Sequence, residues 1–440
     1  MSNLKAGFAR LDITPPLGVR MAGYYFERLA EGVIAPLLVN ALAFSDEEKT
    51  AVVLSCDLLG VYNDEFRKWP ADIAAAAGIP TEAVFLCLTH THTGPVVLGT
   101  REPSDPQYDA WLHRRLCDAA VMAIRDLKPI TSIRATESES KGIAFCRRFK
   151  MKDGRYQTWG NYIDPDIVEY ASVPDETFRL VRIAREGGEE LALVNFQLHP
   201  DTTSGNLISP DYPGVLRDLV EQAHPGTKCV FLDGAEGQMG STDWWHGSDG
   251  RLSGPAGAER VGKILAKDVL AAYDDVKPVE GDGVRFGQTT RVCKTKLDPE
   301  NLEAQMAEAD RLIYIHEHGN ELEEIGPDWI CTPLIAEAYQ LRRMNAANLT
   351  EVLMPVSAVT VGGLAFLGLP GEPFCEIGVH IRENSPYPVT CVCCQTNSCE
   401  GYYPTAEAYD QGGYEPRNTR YPKGIGEILM EMGDELLRSI

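Results

Sequence analysis

Basic residues are scarce in this chain: 41 lysines and arginines stand against 64 aspartates and glutamates in 440 residues, a net charge of −23. That deficit argues against nucleic acid or an anionic membrane as partner, because both are bound through basic patches. No apolar run approaches the roughly 20 residues of a membrane-spanning helix. The opening Met1-Ser2-Asn3-Leu4-Lys5-Ala6-Gly7 lacks the apolar core of a signal peptide. No internal repeat, low-complexity tract or Gly/Ser linker divides the sequence, so one large domain over residues 1–440 is expected. The 12 cysteines read as thiols in a long chain without a leader, and Cys56, Cys87 and Cys229 sit in apolar strand contexts. Cys391, Cys393, Cys394 and Cys399 lack the spacing of a zinc knuckle. A cytoplasmic protein with no stable membrane association is expected; its oligomeric state stays open.

What is present is ordinary globular composition, 44% hydrophobic and 24% charged. Apolar, β-branched runs alternate with amphipathic segments. Strands are expected from Ala51 to Ser55, Val84 to Leu88, Leu191 to Leu198, Cys229 to Leu232, Val352 to Val361 and Leu364 to Leu369. Helices are expected from Tyr108 to Leu127, Pro213 to Gln222, Ala256 to Tyr273, Glu300 to His316 and Gly424 to Leu437, with Asp298 capping the fourth. The alternation predicts an α/β fold of layered mixed β-sheets covered by helices.

The chemistry concentrates at strand ends. Ala83-Val84-Phe85-Leu86-Cys87-Leu88 runs into Thr89-His90-Thr91-His92-Thr93-Gly94-Pro95. In an extended chain residues two apart share a face, so His90 and His92 project together, as one metal ligand and one acid/base neighbour. A second buried run, Leu191 to Leu198, delivers His199 in the same way. A third, Gly363 to Leu369, is followed by Pro370-Gly371-Glu372-Pro373 and a helix. Taken alone, Glu372 fits a helix-start carboxylate. Two histidines and a carboxylate are also the protein ligands of many catalytic zinc sites, which keep one position open.

These segments, with Gly401-Tyr402 and the opening Ala9-Arg10-Leu11-Asp12-Ile13-Thr14-Pro15-Pro16-Leu17-Gly18, resemble the neutral/alkaline (non-lysosomal) ceramidase family, in the same order and from Gly7 to Glu415. The resemblance implies one zinc ion held by His90, His199, Glu372 and Tyr402. It places His92 in the site as acid/base or oxyanion contact. It puts Arg147, within Phe145-Cys146-Arg147-Arg148, and Tyr414, twelve residues after Tyr402, where they stabilise an oxyanion.

The departures bear on the substrate. The family's Gly-Asp-Val-Ser-Pro segment becomes Gly237-Gln238-Met239-Gly240-Ser241, with glycine in the serine's register; its Gly-Ile-His becomes Gly32-Val33-Ile34. The family's C-terminal β-sandwich would begin about where this sequence ends. The expected activity is zinc-dependent hydrolysis of an amide, ester or lactone of a small polar molecule, with ceramide a poor substrate. Trp244 or Trp245 is expected to stack on it, and Arg148, Lys150 and Lys152 are candidate anchors that fit a solvated charge run better. The alternatives are a zinc-dependent lyase or isomerase acting on a carbohydrate, and a non-catalytic binding protein on a decayed scaffold.

Overall fold

A computed structural model describes residues 3–24, 26–61, 63–99, 103–247 and 254–440. Two large sheets face each other. The strands of the first are β1 (Lys5–Asp12), β2 (Leu38–Ser45), β3 (Thr50–Cys56), β4 (Val84–Leu88), β5 (Lys128–Glu139), β6 (Thr177–Arg185), β7 (Glu190–Phe196) and β8 (Thr227–Asp233). They are ordered β8-β7-β6-β5-β1-β2-β3-β4, and the short strand Lys277–Pro278 pairs beside β5. The second sheet runs β9 (Val284–Lys294), β10 (Glu351–Val361), β11 (Leu364–Gly368) and β12 (Val389–Cys393). Most neighbours are antiparallel, but β3/β4, β7/β8 and β11/β12 are parallel. The fold is α/β with layered mixed sheets, as the sequence predicts.

Alternation within strands sorts the core. Phe85 and Cys87 of β4 join Val53, Leu193, Val230, Phe366, Cys391 and Cys393 between the sheets. Val84, Leu86 and Leu88 point outward, against α1 (Trp69–Ala77) and α2 (Pro106–Arg125). Farther along the same sheet, α3 (Tyr212–Ala223) and α4 (Pro255–Ala271) cover β7 and β8. On the outer face of the second sheet lie α7 (Cys375–Asn384) and α8 (Ile425–Ser439). Between these come α5 (Leu302–Glu317) and α6 (Asp328–Ala346), a pair with its own apolar seam. The layers therefore run helix, sheet, sheet, helix.

The structure amends several local expectations. Asp298 does not cap α5: its carboxylate accepts the Glu300 N–H at 3.1 Å and closes a turn, and the helix starts later, after Asn301. The α6 helix has Pro333 inside it, which is why its pattern does not announce a helix. The long strands β5 and β9 have polar, exposed alternate residues and are likewise missed. Of the cysteine cluster, Cys391 and Cys393 fill the inter-sheet core as thiols. Part of the Gly- and Trp-rich stretch from Gly240 to Gly257, residues 248–253, lies outside the described residues.

Candidate metal centre

The parallel strand pairs bring their C-terminal ends to one place, as α/β sheets do at their ligand sites. His90 leaves β4 with φ +61°, a conformation that costs a non-glycine residue about 1–3 kcal/mol. Three contacts hold it there, one of them Gln395 Nε2 at 3.1 Å from the ring's Nδ1. His90 N–H donates to the Leu58 carbonyl at 2.9 Å, and Nδ1–H donates to the Leu59 carbonyl at 2.8 Å. Nε2 is thereby left as a lone pair facing Glu372 Oε2 at 3.7 Å.

His199, past the end of β7, is set the same way. Its Nδ1 lies 3.0 Å from the Glu236 carbonyl and 2.8 Å from Glu236 Oε2, and its Nε2 is 3.3 Å from Glu372 Oε2. The two imidazole centroids are 4.9 Å apart. Burial works against a charge on His199, yet the Glu236 carboxylate pushes it up to about 9.

Glu372 is aligned by its backbone. Glu372 and Tyr402 pair in parallel, with Glu372 N–H on the Gly401 carbonyl at 2.9 Å. Gly371 permits this: φ is +141° and a Cβ there would lie 2.4 Å from the Gly401 oxygen. Burial pushes the Glu372 carboxyl up, but His90, His199 and Tyr402 together hold it below the usual carboxylate range.

Arg147 crosses the other side of the cluster. Its Nη2 donates to Tyr402 Oη at 3.1 Å and to the Gly237 carbonyl at 2.9 Å, while Nε donates to Glu415 Oε1 at 2.8 Å. Burial and Glu372 raise the Tyr402 phenol, and the guanidinium opposes them, stabilising oxygen-centred negative charge there. Tyr414 stacks edge-on to Tyr402 at 5.7 Å, and Trp159 lies 4.7 Å from Tyr414. The segment that departs from the ceramidase pattern forms a ledge for Arg147: its N–H donates to the Gln238 carbonyl at 3.0 Å. A Cβ at Gly240 would meet the Arg147 Cβ at 3.6 Å, an ordinary van der Waals contact, so the position packs on the arginine's aliphatic stem without requiring glycine.

His92 stands 5.1 Å from His90 and 5.9 Å from His199, centroid to centroid. Burial above all holds it well below the ordinary imidazole value, so it is a neutral acceptor. Its Nδ1 is 3.7 Å from Asp201 Oδ1, and Tyr24 Oη donates to Asp201. The His92 and Asp201 side chains keep 14% and 33% exposure, against 3% for His199 and Glu372. Access runs past these two.

The donor set fits zinc. Bonds of 2.0–2.1 Å at tetrahedral angles place donor atoms about 3.4 Å apart, and the two Nε2–Oε2 separations are 3.7 and 3.3 Å. Both imidazoles have Nδ1 anchored and Nε2 directed inward, the arrangement of metal-ligating histidines.

Other expectations land elsewhere. Trp244 and Trp245 pack on Phe149, Met151 and Ile167 of a small separate sheet, and the tryptophan beside the site is Trp159. Lys150 and Lys152 form exposed pairs with Glu169 and Asp166, and Arg148 is buried on the Gly412 carbonyl at 2.8 Å. Glu236, Glu415, Asp201 and Tyr24 carry no pattern in the sequence that marks them. Glu415 adjoins Tyr414, and Glu236 adjoins the Gly237 segment, residues already singled out.

No protein-family model and no curated protein sequence matches the chain. Solved structures do match in fold. A crystal structure of neutral ceramidase from Pseudomonas aeruginosa superposes with TM-score 0.69 at 19% identity, over 100% of this chain and 75% of that one. A ceramidase complexed with C2 superposes with TM-score 0.68 at 17% identity, over 99% of this chain and 75% of that one. The chain has a neutral ceramidase-like fold.

Proposed function

We propose that this protein is a zinc-dependent hydrolase of an amide, ester or lactone bond, with His90, His199, Glu372 and Tyr402 as metal ligands. The observation that carries the reading is the pair of inward-facing Nε2 atoms, 3.7 and 3.3 Å from one carboxylate oxygen. Zinc held by these residues would supply Lewis-acid polarisation of a carbonyl and an activated water. Arg147 donates to the Tyr402 oxygen and opposes the rise that burial and Glu372 impose on the phenol, so that a bound ion would more readily take it as an anionic ligand; with Tyr414 it faces the charge that develops on the carbonyl oxygen. Neutral His92 accepts a proton from the attacking water and passes it to the leaving group. Asp201, held by Tyr24, stands beside the imidazole at 3.7 Å from Nδ1.

A lyase or isomerase would use the same ligands but leave no product heavier by one water, so product mass separates these classes. The test is a panel of small polar esters, lactones and N-acyl compounds, assayed with chelator and again with Zn2+ restored. Chelation abolishes activity and zinc returns it; full activity in metal-free protein rejects the mechanism.

One observation favours a more apolar substrate. Leu17, Phe26, Leu29, Val33, Ile34 and Leu207 are all exposed, on the hairpin that carries Tyr24 and the strand pair Gly32–Val33 with Leu207–Ile208 beside it. Long-chain ceramide therefore belongs in the panel. On the small-substrate reading it is turned over at least tenfold more slowly than the best polar compound, about 1.4 kcal/mol of transition-state preference. The reverse order makes the apolar rim part of the substrate site.

A further inference from the structure

On the far side of the His199 ring a second set of ligand atoms closes up. Asp233 ends β8, Glu236 lies in the turn that follows, and Cys394 comes directly after β12. The strand ends are tied together, because Cys394 N–H donates to the Asp233 carbonyl at 3.0 Å. A carboxylate oxygen from each acid and the Cys394 Sγ all lie within 4.8 Å of one another, and all three residues are buried.

Buried carboxylates need a cation or hydrogen-bond donors. Neither carboxylate oxygen of Asp233 nor of Glu236 is in a well-formed hydrogen bond among the described residues, although the Leu198 and Gly234 backbone N–H groups approach Asp233 and partly oppose the rise that burial and Glu236 impose on its carboxyl. Glu236 Oε2 lies 2.8 Å from His199 Nδ1, while Asp233 forms no ion pair among the described residues. Two carboxylates and a thiol thus converge in the buried interior, with no lysine or arginine paired to them among the described residues. The remaining cysteines of the cluster do not share it: Cys391 and Cys393 face the inter-sheet core.

We infer that Asp233, Glu236 and Cys394 form a second, buried site for a divalent transition-metal ion, with Glu236 bridging it to His199. One thiolate and two carboxylates select a borderline-soft ion such as zinc over magnesium or calcium, which prefer oxygen alone. An ion with bonds of about 2.0–2.3 Å draws the three donors together by a small side-chain shift. Binding displaces the Cys394 thiol proton, which leaves to solvent. Once the ion fixes the Glu236 carboxylate, that carboxylate holds the His199 imidazole in one orientation. The inference does not require the hydrolase reading, because neither Asp233 nor Cys394 belongs to the first ligand set.

Cobalt substitution tests it, since the first centre offers only nitrogen and oxygen. Full-length protein loaded with Co2+ is expected to hold two ions per chain and to show a thiolate-to-cobalt charge-transfer band in the near ultraviolet. Cys394→Ser and Asp233→Asn each lose the band and one ion. His90→Ala loses the other ion and keeps the band. Should His90→Ala still hold two ions while Cys394→Ser abolishes the band, this site stands and the first centre falls. Wild-type protein that saturates at one ion without the band, or a band that survives Cys394→Ser, overturns the inference whatever the variants' stability.

Discussion

Arg147 and Lys150 stand three residues apart in the sequence, and each holds a glutamate. The Arg147–Glu415 pair keeps 8% and 0% side-chain exposure, the Lys150–Glu169 pair 40% and 55%. Water around the second pair screens it to about 0–1 kcal/mol. Around the first there is almost no water, and an uncompensated partner left behind costs about 3–5 kcal/mol. The same contrast divides the whole molecule. Its acidic excess is carried mostly by exposed carboxylates and informs only on solubility, whereas the charges that matter chemically are the few that the layers enclose.

The sharpest way to break that comparison is to remove a buried side chain proposed as a metal ligand. His199→Ala is expected to lose the ion at the first centre and, with it, activity, by more than the 10–100-fold that even outer-shell changes cost. Metal analysis and turnover on the same preparation check this; wild-type values of both would show that the cluster is structural. Next comes Glu415→Ala, which strands Arg147 in the interior. Urea unfolding should read a loss of about 3–5 kcal/mol, and a loss under 1 kcal/mol would put the pair in the same class as the surface ones. Arg147→Lys keeps a charge but not the fork that reaches Tyr402, Gly237 and Glu415 together. We expect kcat to fall about 10²–10³-fold, near 3 kcal/mol, with metal content unchanged. The smallest effect is Lys150→Ala, within about 0.5 kcal/mol in the same unfolding assay and without effect on turnover. A large effect there would mean that the outer sheet contacts substrate.

Much of this arrangement is legible in the sequence because the strands that build it are pure. Val84–Leu88 is buried on both faces and reads as an uninterrupted apolar run, so the position of His90 at its end follows. His199 and Glu372 follow from runs of the same kind. Tyr402 and Arg147 do not: the first lies in a two-residue strand and the second between two short ones, and only the ordered resemblance to ceramidases singles them out. The tryptophans show the limit of proximity in sequence. Trp244 follows the ledge segment closely but turns away to pack on Phe149, Met151 and Ile167, while Trp159, remote from every segment singled out, packs on Tyr414.

By itself, then, the sequence determined that helices and sheets alternate, that three strands run into a histidine or glutamate, and that the net charge is acidic. Those are local facts, set by side-chain periodicity and by the residue that follows a strand. Only the tertiary structure decided which ends meet. The close passage of Gly371 past Gly401 aligns Glu372 with Tyr402, and the backbone at Gly237 holds Arg147 against both Tyr402 and Glu415. It also set Glu236 behind His199, and Asp233 beside Cys394, 161 residues farther along the chain by subtraction of their numbers. Such meetings leave no periodic trace, because they depend on how two sheets stack rather than on what either strand contains.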